Sequence, residues 1–145
     1  MIDNNDISIL GDPFFEEKGK IVSRRVLSVE PEVQIEYVIF LNGVINGNLS
    51  VTDSVTLVGT LRRGTNGIYY SQGQGIVSTT DGTDMSTWTS MGIENATNKK
   101  NLLRGSAFYT TMSTGKLAFL KNVMTVFKSE TDEDGNISNK EWLLK

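Results

Sequence analysis

The chain has no cysteine and no histidine among its 145 residues, and only two prolines. Each absence removes some chemistry. Disulfides, thiol nucleophiles and zinc sites of the usual Cys/His kind are excluded, and so is a Ser-His-Asp triad. A proton shuttle working near neutral pH has to be a carboxylate, a tyrosine or a lysine with a displaced pKa. Long apolar runs are also missing. No stretch approaches the ~20 residues needed to span a bilayer as a helix, and the opening "MIDNNDISILGDPFF" does not read as a secretory signal. The expectation is a cytoplasmic protein without a membrane partner.

Positive charge is sparse as well. The 14 basic residues are outnumbered by 17 acidic ones, and they are scattered as Arg24, Arg25, Arg62, Arg63, Lys99, Lys100 and Arg104. Neighbouring residues on a strand point to opposite faces, so these pairs do not build a phosphate-binding stripe. No nucleic-acid partner is expected.

What the chain does contain is alternation. Segments 20–29, 33–41, 49–62, 67–79, 85–93 and 102–112 are rich in β-branched and aromatic residues with period-two character, and 122–131 and 137–145 continue the pattern. Asn42-Gly43, Asn46-Gly47, Asn66-Gly67 and Asp81-Gly82 fall between or beside them as candidate type I′ turns. Short links of this kind join neighbours in space, which predicts a meander. A helix or helical turn is plausible only near 113–122. A sheet of about eight strands without covering helices has to close on itself or fold into two layers, and closure gives an all-β antiparallel barrel. Residues 1–18 are expected to lie outside it as a partly flexible segment, and 19–145 to form the single domain.

If Asp81-Gly82 is the bend of its hairpin, Gly75 lies opposite Trp88 with Gly73 diagonal to it, so the indole covers backbone that lacks side chains. Periodicity alone does not say which face of that hairpin points inward. Near the end, "ETDEDGNISNKEW" has the spacing of a calcium loop: Glu130, Asp132, Asp134, Gly135, Asn136, Ser138 and Glu141. Glutamate at the first position, no exiting helix and strand-like flanks make it a hairpin around Asp134-Gly135 instead. No metal and no cofactor are expected.

Candidate ligand-binding residues are the polar or aromatic groups set into apolar strands: Glu36, Tyr70, Trp88, Glu94, Arg104 and Tyr109. A lone Glu or Arg on a barrel strand more often faces solvent, and a tyrosine more often fills core. A buried carboxylate would tip the balance toward a site, because a buried unpaired charge is expensive.

Two stretches carry a resemblance. "GQGIVSTTDGTDMSTWTSMGI" (73–93) and "RGSAFYTTMSTGKLAFLKNVMTVFKSETDEDGN" (104–136) resemble a group of small prokaryotic proteins with the allene oxide cyclase and dirigent type of barrel, a calycin-like fold that often forms oligomers. The resemblance implies an eight-stranded barrel, a homo-oligomer and an apolar or amphipathic small molecule inside it. It assigns no catalytic residue. Three functions follow as expectations: a small apolar-ligand-binding barrel, a cyclase or isomerase acting on a lipid-like substrate, or a structural oligomer with a filled interior.

Overall fold

A computed structural model describes residues 10–61, 66–96 and 99–144. Eight antiparallel strands follow one another around a closed barrel: β1 (Phe15–Ser28), β2 (Val33–Ile45), β3 (Leu49–Leu61), β4 (Ile68–Thr79), β5 (Met85–Ala96), β6 (Lys100–Thr110), β7 (Val123–Asp132) and β8 (Asn136–Leu143). Each pairs with its sequence neighbours, and β1 closes the circle against β8 from Phe15↔Glu141 to Lys20↔Asn136. The meander read from the turns is the topology observed. Among the described residues the helical content is a single 3₁₀ turn, Ala118–Leu120.

Several local expectations are corrected. Asn42-Gly43 is not a turn but part of β2, with Gly43 paired to Glu17 and Val51. A Cβ on Gly43 would meet Phe15 and Glu17 at 2.7–2.8 Å, so this glycine serves close packing inside the barrel. The bend after β2 is Asn46-Gly47, where both residues have positive φ (51° and 76°), as a type I′ turn requires. At Asp81-Gly82 only Gly82 has positive φ, and Asp81 instead accepts hydrogen bonds from the Thr83 amide and hydroxyl. The register is nevertheless the expected one, Gly75↔Trp88. β1 begins at Phe15, inside the segment assigned to 1–18, and Phe14 and Phe15 are both buried. The expectation for the earlier part of that segment lies largely outside the described residues.

The link between β6 and β7 folds under one end of the barrel and seals it. Leu117 and Leu120 are fully buried there beside Phe14, Phe15, Ile45 and Val51. The Leu117 amide donates to Asp84 Oδ2 at 2.8 Å, which ties this plug to the start of β5. On the outside, the Trp142 indole donates to the Gly11 carbonyl at 3.0 Å, so the chain entering β1 lies across β8.

The β7–β8 hairpin has the pairing expected of it, Thr125↔Leu143 through Thr131↔Ile137. Asp132 Oδ1 accepts the amides of Asp134 and Asn136, both at 2.9 Å, and Oδ2 accepts from the Asn136 side chain. The loop's own donors therefore occupy the carboxylate most central to it.

Candidate functional site

The barrel encloses a cavity of about 90 Å³. Ile39, Leu41, Val55 and Ile137 form part of its apolar wall. The plug seals one end. Toward the other end the lining residues Tyr37, Glu94, Asn101 and Thr131 are only partly buried, and the mouth lies there.

Three carboxyl groups stand on the inner wall: Glu17 from β1, Asp53 from β3 and Glu141 from β8. They are 3%, 2% and 4% exposed, values rarely seen for acidic residues without a paired cation. Among the described residues no lysine or arginine lines the cavity. Three neighbours donate hydrogen bonds to them. The Trp88 indole donates to Asp53 Oδ1 at 2.9 Å, and Asn139 Nδ2 donates to Glu17 Oε2 at 2.9 Å. The Tyr109 hydroxyl donates to Glu141 Oε2. Glu17 in turn hydrogen-bonds Asp53.

Burial without a counter-ion favours the neutral acid. It pushes Glu17 well above the usual carboxylate range, with the charges of Asp53 and Glu141 adding to it. Asp53 is raised by burial too, against the hydrogen bonds from Glu17 and Trp88. Glu141 is pushed up to about 8, again chiefly by burial, with the Tyr109 hydrogen bond working the other way. Tyr109 itself is raised by burial and by the surrounding carboxylates. At neutral pH the cluster keeps protons that isolated carboxyl groups would have lost. The Glu17–Asp53 contact is one place for such a proton, with Glu17 as donor.

Glu94 and Tyr37 stand at the mouth. Burial raises both, and the Glu94 charge adds to the shift of Tyr37. The exposed Arg24 guanidinium lies over the Tyr37 ring, 5.9 Å from its centroid.

Of the residues singled out from sequence, Trp88, Glu94 and Tyr109 line this cavity together. Glu36, Tyr70 and Arg104 do not. Their strand parity puts them on the outside, and Glu36 pairs there with Arg25 at 3.2 Å. Glu36 also borders a broad depression of about 490 Å³ on the outer surface, shared with Gln72, Met91 and Phe108.

Sequence reasoning missed Glu17, Asp53 and Asn139, and weighed Glu141 only as a calcium ligand. The signal was available in the alternation. Asp53 shares its parity with Val51, Val55 and Leu57, and Glu141 shares its parity with Ile137 and Leu143. A carboxylate in step with the apolar residues of a strand faces the core with them.

Fold and site together define a class: an eight-stranded antiparallel meander barrel, blind at one end, with an acidic cluster buried in its interior. No family model and no curated protein matches the chain. Among solved structures, the chain resembles the crystal structure of a conserved protein of unknown function from Rhodopseudomonas palustris. The TM-score is 0.71 at 14% identity, over 92% of this chain and 96% of that one. At that identity the likeness is one of fold.

Proposed function

We propose that the barrel binds a small amphipathic molecule in its interior, with an apolar part against the wall and a polar end against the acidic cluster. The observation that carries this reading is the buried polar cluster inside an otherwise apolar, blind-ended cavity. Carboxylates are costly to bury, and an apolar filling of the same volume would serve stability better. Size limits the ligand. A cavity of 150 Å³ accommodates benzene, so about 90 Å³ suits a head group of a few heavy atoms, with anything longer reaching out through the mouth.

The test is native mass spectrometry of protein purified from its own host, together with the fully buried cavity residue Ala107 changed to Leu. A retained small molecule that Ala107→Leu loses while its fold persists supports interior binding. A ligand-free wild type, and no perturbation of the Trp88 indole by small alcohols, would count against it.

A second reading is a cyclase or isomerase of the allene oxide cyclase type, acting on a lipid-like substrate. Glu141 favours it. A carboxyl pushed up to about 8 by burial and hydrogen-bonded by Tyr109 suits exchange of a proton with a bound molecule. Turnover of a fatty-acid epoxide that disappears in Glu141→Gln would favour the enzyme over the carrier.

Self-association is part of the proposal. β3, β4 and β5 contain two charged residues, Asp53 and Glu94, and both line the cavity. Their outward faces are therefore neutral, with Thr, Ser, Gln, Met and Ile side chains, flanked by the exposed Phe40 and Phe108. Three strands at about 4.8 Å spacing and about 35 Å length present roughly 500 Å², and the neighbouring Phe40 and Phe108 extend this toward the roughly 800 Å² of one side of a standard interface. A second copy of the chain is the occupant this neutral face suits, because hydroxyl and amide groups both donate and accept across a two-fold axis.

A further inference from the structure

We propose that the polar end of the ligand is a primary amine, bound as an ammonium ion among Glu17, Asp53, Asn139 and Glu141. This rests on the reading that the interior binds a ligand, and it names the chemistry of the part that reaches the closed end.

The argument is a count of donors and charges. The cluster presents six carboxylate oxygens and the Asn139 amide oxygen. Its own donors are the Trp88 N–H, the Tyr109 O–H, the Asn139 amide N–H groups and the Thr125 O–H beside Glu141. Asn139 Oδ1 and Glu17 Oε1 are buried with no donor among the described residues, apart from a proton that Glu17 and Asp53 can share. Asn139 is 8% exposed, and an amide oxygen, unlike a carboxylate, cannot relieve its need by taking a proton. The site thus has more acceptors than donors, and it lacks positive charge. Among the described residues its wall supplies no positive charge, since the charged groups lining it are Glu17, Asp53, Glu94 and Glu141.

An ammonium group brings three N–H donors and one positive charge in the volume of a methyl group. An alcohol brings one donor and no charge. A carboxylate brings neither, and adds a like charge. Glu94 at the mouth, negative like the cluster, favours a cation on its way in. Proton bookkeeping balances as well. The cation enters charged, a carboxyl of the cluster gives up its proton, and that proton leaves to solvent. Binding should therefore release close to one proton at neutral pH.

The experiment compares n-butylammonium, 1-butanol and butyrate at pH 7. Binding is followed through the indole N–H resonances of the full chain. Trp88 reports from inside, and Trp142, on the outside, is the control. The expected result is saturable movement of the Trp88 signal by butylammonium, at least about tenfold tighter than by butanol, and no binding of butyrate. Calorimetry in buffers of different ionisation enthalpy should show the released proton.

Glu17→Gln keeps the size and hydrogen-bonding capacity of the side chain, so its fold is expected to persist. It should bring butylammonium to within about threefold of butanol measured on the same variant. Butanol binding as tightly as butylammonium, or butyrate binding best, overturns the amine assignment while interior binding stands. A preference that survives intact in Glu17→Gln, Asp53→Asn and Glu141→Gln overturns it too, by removing the cluster as the seat. No movement of Trp88 with any probe overturns interior binding itself.

Discussion

Burial lifts the Glu141 carboxyl from an ordinary 4.5 to about 8, and that single side chain sets a direction for stability against pH. Between those values the folded chain holds a proton that the unfolded chain has released. Stability from this group is full below the unfolded pKa and is lost as pH rises through the folded one. Glu17 and Asp53, also raised, act with the same sign. Asp81 and Asp132 are held low by loop hydrogen bonds and act oppositely, losing their contribution in acid. The melting temperature is therefore expected to rise as pH is lowered from 8 toward 5, and to fall again in stronger acid. Glu141→Gln should flatten the upper limb and stabilise the chain at pH 8, by at most about 4 kcal/mol. Thermal melts across pH measure both. At Gly75, an added Cβ would come within 2.5 Å of the Trp88 ring. Gly75→Ala is expected to cost about 1–3 kcal/mol and to shift the Trp88 indole resonance as its bond to Asp53 is disturbed. The Gly75–Trp88 pairing was legible in the sequence because one turn sets the register of a hairpin. The acidic cluster was not, because its members sit far apart in the chain and only barrel closure brings β1, β3 and β8 around one space.

At the scale of elements, strand existence was readable from alternation, while strand ends and turn types were not. Asn42-Gly43 has the composition of a turn, but the pairing of β2 with both β1 and β3 runs straight through it. Local preference yields there to the ladder on either side. The 3₁₀ plug also escaped a detailed reading, since Leu117 and Leu120 are buried by a connection that carries no strand period. Leu117→Ala is expected to destabilise the chain by about 2–5 kcal/mol in denaturant melts, because it opens the sealed end. In the β7–β8 hairpin, Asp132 serves the loop's own amides. Millimolar calcium is expected to leave the melting temperature unchanged, and Asp132→Ala to lower it. A calcium-dependent rise would restore a metal role to that loop.

At the scale of the whole molecule, the chain has its polarity partly inverted. Over β3 to β5 the charges point in and the outer face is neutral. Light scattering coupled to size exclusion is expected to give a mass above 16.0 kDa. Met91→Lys, on the β5 side of that face and 66% exposed, should return it to a monomer with its fold and its cavity intact. A wild-type monomer at high concentration would remove the self-association proposal and leave interior binding as it stands.

The plug under the barrel has a kinetic meaning. A compartment with one opening exchanges its contents through a single door, so whatever enters must leave by the path it came. Side chains at that door that never touch the seated molecule raise or lower the barrier in both directions alike. Changing their bulk should alter how long a guest stays and how fast it arrives by the same factor. Occupancy at equilibrium would then be unmoved, and residence time could be tuned separately from strength of binding.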